Sequence, residues 1–359
     1  MGFSCGIVGL PNVGKSMLFN LLTHSSVPTS NYPFCTISPN VGVVPVPDER
    51  LDELARLIDA RDVVPTTIEF IDIAGLVKGS HKGEGLGNRF LSHIREVDAI
   101  LQVIRCFYDP QVPYIEQELD PKRDMEIVNL ELILKDLETV ERRLEKVTRL
   151  AKSGKDVYQE ELDCLNTLKG LLQKGDLSGL MEIFPTFQEF LTEYNLLTTK
   201  PMFYLANISE GSDLWKEVED LARSTGQDAI TLNVKLEKEL AELEEEEAAQ
   251  FRKELGLQEA GLKKLVTTGF RVLSLVTFFT IERRKLSAHT VKKGTKVKKA
   301  ASKVHTDMEK GFISSEVISF TDLVSSGSVS KAREKGLLRQ EGKDYTVKDG
   351  DIITFKFAV

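Results

Sequence analysis

Apolar residues in the first hundred positions fall in short runs, each followed by a turn and a helical pattern. Gly6 to Leu10 (GIVGL) closes one run, a Gly/Pro/Asn turn follows, and a helix is predicted from about Lys15 to Thr23. Ile68 to Ile73 (IEFIDI), Ala99 to Phe107, Met202 to Ile208 and Ala229 to Val234 also read as buried strands. Near-continuous apolar strands separated by helices predict a parallel sheet with crossover helices. Between about Met125 and Tyr194 the period changes to that of a helix, through Ile127, Leu130, Leu134, Leu137, Val140, Leu144 and Val147. Gly154 interrupts it, and a second helical stretch runs from about Val157 to Gln173, so a helical hairpin inserted between two strands is expected. Residues 236–254 are acidic and read as a solvated helix face. From about Val276 onward, short β-rich runs separated by Gly and charged turns predict a small α+β domain.

The expected fold class is therefore α/β, with a nucleotide-type domain at 1–123 and 198–275. A helical coiled-coil insertion occupies 124–197, and the small α+β domain 276–359. With 359 residues, 41% hydrophobic and 28% charged, the composition excludes a disordered or fibrous chain. No apolar run approaches the roughly 20 residues of a membrane helix. The first residues lack a secretory pattern, so a cytoplasmic location without membrane contact is expected. Cys5, Cys35, Cys106 and Cys164 have neither knuckle nor redox spacing, which argues for free thiols rather than zinc or disulfides. A net charge of −8 excludes a general polyanion binder. Basic residues do cluster locally, at Arg283, Arg284, Lys285, Lys292, Lys293, Lys296, Lys298, Lys299 and Lys303. That cluster suits RNA phosphates, or is ordinary solubilising charge.

Gly9 to Ser16 (GLPNVGKS) matches G-x-x-x-x-G-K-[ST], between a strand and a helix. Glycines let backbone N–H groups turn toward phosphate oxygens, and the helix start adds its dipole. Lys15 supplies charge for the β- and γ-phosphates, and the Ser16 hydroxyl is a candidate Mg2+ ligand. Asn12, Val13, Gly14 and Met17 complete this part of the candidate nucleotide site. Asp72-Ile73-Ala74-Gly75 matches D-x-x-G at a strand end, with Asp72 toward the metal and the Gly75 N–H toward the γ-phosphate. Thr36, beside Phe34, is placed between the two motifs as the candidate switch threonine, ligating the metal and meeting the γ-phosphate. The glycine-rich run 79–87 suits a segment that orders around that phosphate.

Together these motifs resemble the YchF family, in the Obg-related branch of P-loop NTPases. The resemblance rests on GIVGLPNVGKS (6–16), NYPFCTI (31–37), FIDIAGLVKGSHKGEGLGNRFL (70–91), IREVDAI (94–100), NISE (207–210), HTDMEKGFI (305–313) and DYTVKDGDI (344–352). It spans essentially the whole chain. It implies a P-loop G-domain interrupted by a coiled-coil insertion and followed by a TGS domain. It further implies a nucleotide-driven switch on ribosomes, with ATP used as well as or instead of GTP.

GTPases read guanine with N-K-x-D after the fifth strand of the G-domain. Here the stretch is Asn207-Ile208-Ser209-Glu210, without the Lys and with Glu for Asp. A displaced carboxylate loses its two-pronged match to guanine, which predicts tighter binding of ATP than GTP. Asn207 is the expected base contact, and Asn233 and Val234 sit where backbone N–H groups meet the base. Leu76 follows D-x-x-G where many switches carry a water-orienting Gln, so unstimulated turnover should be slow. Asn12 is either a turn residue or, as in K+-dependent relatives, a ligand of K+, the second candidate cation beside Mg2+. Many relatives place a His where this chain has Tyr114, so that His role does not carry over; His81 is either functional or merely exposed. The expected function is a monomeric regulatory NTPase cleaving the β–γ bond of ATP and acting on ribosomes and ribosomal RNA. The alternatives are a conventional GTPase, a small-molecule kinase, and a nucleotide-binding scaffold with little turnover.

Overall fold

The computed structural model describes residues 3–24, 40–73, 86–114, 118–151, 158–257 and 260–358. Phe34, Thr36, Gly75, Leu76 and His81, with most of the glycine-rich run, lie outside them. In chain order the first elements are β1 (Phe3–Val8), α1 (Lys15–His24), β2 (Val41–Pro45), α2 (Glu49–Leu57), β3 (Asp62–Val64), β4 (Thr67–Asp72), α3 (Leu86–Glu96) and β5 (Ala99–Cys106). Then come α4 (Pro121–Ala151), α5 (Gln159–Lys174), α6 (Leu177–Ile183), α7 (Gln188–Tyr194), β6 (Met202–Ile208), α8 (Trp215–Ser224), β7 (Asp228–Leu232), α9 (Val234–Ala241), α10 (Glu245–Glu254) and α11 (Gly261–Val272). The last part holds β8 (Leu275–Glu282), β9 (Lys285–Lys292), α12 (Val297–Ala301), α13 (Thr306–Lys310), β10 (Phe312–Ser319), α14 (Phe320–Ser326), α15 (Val329–Glu334), β11 (Arg339–Glu341) and β12 (Asp351–Phe357).

Among the described residues one sheet runs β2-β4-β1-β5-β6-β7. Its β1, β5, β6 and β7 pair in parallel, in registers such as Cys5 with Ala99, Ile100 with Met202 and Phe203 with Asp228. Every residue of β5 is buried, as a central parallel strand covered on both faces requires. Ile100, Ile104, Met125, Val128, Leu132 and Tyr204 share one core beneath the crossover helices.

The helical insertion grows out of this unit. Its α4 has 31 residues, roughly 46 Å of helix. Val140 and Val147 on α4 pack with Cys164, Leu165, Leu168 and Leu172 on α5, and with Leu180 and Leu191 on α6 and α7. The arm therefore has a core of its own. At its base, Asp136 is fully buried and accepts from the N–H groups of Leu197 (2.9 Å) and Thr198 (2.7 Å) and from Thr198 Oγ1 (2.7 Å). Burial raises its pKa, and those three donors oppose the rise.

The chain divides into two compact units, Phe3–Gly42 with Glu69–Leu265, and Val43–Ile68 with Val266–Val359. Residues 46–66, between β2 and β4 and expected in the nucleotide domain, fold with the C-terminal unit instead. Its sheet runs β11-β10-β12-β8-β9-β3, with β3 parallel to β9 through Asp62 with Lys285. Asp48 caps α2, whose Leu51 and Leu54 pack on Phe279, Leu286 and Ile318. Adjacent strand residues face opposite ways, so Phe278 instead joins Val291, Val297 and Val317 on the other face. Both phenylalanines are 0% exposed, which leaves neither ring for stacking on a base. Lys292, Lys293, Lys296, Lys298, Lys299 and Lys303 are exposed on this unit, Lys299 paired with Glu309 (3.3 Å).

Candidate nucleotide site

The carboxyl ends of β1, β5, β6 and β7 meet at a cleft of about 540 Å³, where an open parallel sheet usually binds its ligand. Asn12, Gly14, Lys15, Ser16 and Met17 from the loop after β1 line one end. Asn207, Ile208, Ser209 and Glu210 after β6, with Asn233, Lys235, Leu236 and Glu239 after β7, line the other. Phe107, Tyr108, Asp109 and Val112 after β5 form a third wall.

The first loop is shaped by its glycines. Gly9 has φ 150°, and a Cβ there would lie 2.4 Å from the Val103 carbonyl oxygen. Gly14 has φ 102°, and a Cβ would lie 2.5 Å from Asn207 Nδ2. Only glycine lets this loop pass so close to β5 and Asn207. Lys15 is 8% exposed, and its Nζ donates to the carbonyls of Gly9 (2.9 Å) and Leu10 (2.7 Å). Burial lowers its pKa to about 8, against the attraction of Asp72. Burial likewise raises the pKa of Asp72, against the attraction of Lys15. Nearby anionic oxygens would satisfy Lys15 more fully than two carbonyls do. Ser16 and Asp72 supply a hydroxyl and a carboxylate, the hard oxygens that Mg2+ takes beside waters and phosphate oxygens, so the donor set fits that ion. Among the described residues no group of three His, Cys, Asp or Glu could hold a metal.

Asn207, the expected base contact, also has a role within the frame of the cleft. It lines the cleft but is 5% exposed, and both ends of its amide are engaged. Its Nδ2 donates to the Val13 carbonyl (3.0 Å), and its Oδ1 accepts from the Val234 N–H (3.2 Å). The side chain thus bolts the phosphate-type loop to the start of α9. Val13 and Val234 are buried, and the Val234 N–H goes to Asn207 rather than toward the cleft. Asn233 Oδ1 caps α9 by accepting from Leu236 N–H (3.0 Å). Glu210 is exposed at the rim.

The wall after β5 is what the sequence reading missed. Its one signal was a charged residue, Arg105, near the end of a strand that is apolar but for Gln102. Tyr114, just beyond that wall, donates its hydroxyl to the buried Asp124 at 2.7 Å from Oδ1 and 2.9 Å from Oδ2. Burial, with this bond next, pushes its pKa up to about 12. The phenol is therefore held as a neutral structural donor.

A family model described as 50S ribosome-binding GTPase matches residues 4–143. A second, for the C-terminal part of YchF GTPases and described as a protein of unknown function, matches residues 275–358. The chain is 44% identical to the ribosome-binding ATPase YchF of Bacillus subtilis and 43% identical to that of Escherichia coli O157:H7, covering 100% of both chains in each case. The solved structure of the Schizosaccharomyces pombe YchF GTPase superposes with a TM-score of 0.82 at 35% identity, over 99% of this chain and 98% of that one. The loop and cleft at the ends of β1, β5, β6 and β7 thus have their counterpart in full-length relatives, and the chain belongs to the YchF family.

Proposed function

We propose that this chain is a regulatory ATPase that binds and slowly hydrolyses ATP at its β–γ bond and works on ribosomes in the cytoplasm as a monomer. The observation that carries the reading is the cleft itself. One end is the G-x-x-x-x-G-K-S loop with a buried lysine, and the other lacks the Lys and Asp that read guanine. Lys15 exchanges its carbonyl partners for phosphate oxygens, and Ser16 and Asp72 hold Mg2+. That ion, when bound, neutralises charge developing on the phosphates. Thr36 and Gly75 are assigned to the γ-phosphate from their motifs. Asn12 spends its Nδ2 on the Pro113 carbonyl (3.1 Å), which leaves Oδ1 for K+.

Glu210 at the rim cannot repeat the two-pronged contact of an Asp to guanine, which favours adenine. Leu76 cannot orient a water, so chemistry waits on a partner. The relatives' names, the basic exposed lysines of the C-terminal unit and the buried state of Phe278 and Phe279 favour ribosomal RNA phosphates as that partner's surface. We further assign nucleotide chemistry to the unit built on the parallel sheet and docking to the helical arm and C-terminal unit. The test is ATP turnover with and without purified ribosomes. Stimulation of about tenfold or more is expected. Turnover that is already fast alone and unchanged by ribosomes contradicts the reading.

A further inference from the structure

Arg105 has no role in the phosphate or base contacts just described, yet it organises the wall those contacts face. It is 2% exposed and heads the largest fully buried side chains among the described residues. Among the described residues its guanidinium hydrogen bonds go to backbone carbonyls of one irregular loop. Nε donates to Phe107 (3.2 Å), Nη1 to Pro113 (3.3 Å), and Nη2 to Asp109 (3.3 Å) and Val112 (3.0 Å). Its guanidinium carbon lies 4.5 Å from the centre of the Phe107 ring and 5.2 Å from that of Tyr114. The loop has no helix or strand ladder; a turn bond from the Val112 N–H to the Asp109 carbonyl (3.2 Å) and one from the Gln111 N–H to Asp109 Oδ1 (2.9 Å) hold its tip, and the planar fork of donors ties the rest together. Phe107, Tyr108, Asp109 and Val112 of that same loop line the cleft, with Tyr108 78% exposed at its mouth.

The Pro113 carbonyl takes a second donor, Asn12 Nδ2 at 3.1 Å. Asn12 has φ 62° and sits at the turn of the phosphate-type loop. One carbonyl therefore joins the loop that Arg105 shapes to the loop that holds Lys15.

We propose that Arg105 is a positioning residue for the nucleotide. By fixing loop 107–113 it sets both the wall beside the ligand and, through Pro113 and Asn12, the tip of the phosphate loop. This rests on the nucleotide reading above. Because Arg105 reaches the ligand only through this loop, its carbonyls and the Phe107 ring, its loss acts on binding and not on the chemical step, and acts equally on adenine and guanine nucleotides.

The experiment compares the full-length chain with Arg105→Lys, Asn12→Gly and the double variant. Lysine keeps the charge but not the fork, and glycine keeps the positive φ at 12 while removing the amide. Dissociation constants for Mg-ATP and Mg-GTP are measured by calorimetry, and KM and kcat by phosphate release. Arg105→Lys is expected to raise both dissociation constants and KM about tenfold with kcat within about threefold of the parent. In Na+ buffer, where the K+ assigned to Asn12 plays no part, Asn12→Gly is expected to raise both dissociation constants about threefold, and the double variant to be no worse than Arg105→Lys alone, since both cut one path. Parent-like binding by a folded Arg105→Lys, a fall in kcat alone, or effects that multiply in the double variant overturn the proposal. Should Arg105→Lys fail to fold, Asn12→Gly decides: parent-like binding overturns the proposal. A parent chain that binds neither nucleotide overturns the nucleotide reading and this proposal together, whereas a binding parent with unaffected variants overturns this proposal alone.

Discussion

Asn207 holds two backbone segments together with one amide, and this changes what its mutation should do. Asn207→Ala leaves the Val13 carbonyl and the Val234 N–H without their partner in a buried place, at a cost of about 2–3 kcal/mol. Because the damage is to the frame of the cleft, affinity for ATP and for GTP should fall by the same factor, about tenfold, in parallel calorimetric titrations. A loss confined to one nucleotide would make Asn207 a base reader after all. The motif spacing made Lys15, Ser16 and Gly14 legible, because phosphate chemistry dictates residue type at fixed separations. It could not reveal that Asn207 ties Val13 to Val234, since that depends on where β7 ends. In the C-terminal unit, His289 stacks on Phe278 with ring centres 5.1 Å apart, and its Nε2 lies 2.9 Å from Thr280 Oγ1. Burial, with Lys285 adding to it, lowers its pKa to about 4 from 6.5. The unfolded chain binds the extra proton between those values, so this contribution to stability is complete above pH 6.5 and is lost as pH falls through about 4. Urea unfolding across that window should show a steeper loss in the parent than in His289→Gln. Equal slopes would remove the prediction.

Helices α4 and α5 were legible because a 3.6-residue apolar period needs no tertiary knowledge. The short α6 and α7, which complete the arm's core through Leu180 and Leu191, carry too few turns to show that period. Strand β3 was illegible for a related reason. It has three residues, Asp62 and Val63 are exposed, and only its pairing with β9 defines it. The arm is joined to the sheet by a polar knot beside the apolar packing of Met125, Val128 and Leu132. Asp136 gathers three donors from the return segment, while Lys200 Nζ donates to the carbonyls of Arg95 (3.0 Å) and Val97 (2.7 Å). Arg95 Nη2 reaches Thr139 Oγ1 on α4 at 2.8 Å. Asp136→Ala orphans two buried or half-buried N–H groups and a hydroxyl, and should cost about 3 kcal/mol. Hydrogen exchange should quicken at residues 196–200 and in the first half of α4, with the C-terminal sheet unchanged. Exchange quickening everywhere, or nowhere, would contradict this account of the arm's base.

Across the molecule, one sheet gathers the residues of the nucleotide-type motifs at the ends of four parallel strands. The alternation of apolar runs and helices made that sheet legible. The contribution of residues 46–66 to the C-terminal unit was not, because it joins segments more than two hundred positions apart: β3 to β9, and the hydroxyls of Thr66 and Thr290. Arg50 shows the same long reach, bonding Asp48 Oδ2 (2.8 Å) and Asp349 Oδ2 (2.7 Å) in that unit. The central claim concerns the cleft: a phosphate-binding end built around Lys15, and a base end from which the guanine reader has gone. Calorimetric titration of Mg-ATP and Mg-GTP, each in K+ buffer, into the nucleotide-free chain tests it most directly. The account predicts tighter binding of ATP. GTP binding at least about tenfold tighter than ATP would contradict it, since a site that bonds one exocyclic pattern rejects the other by such margins.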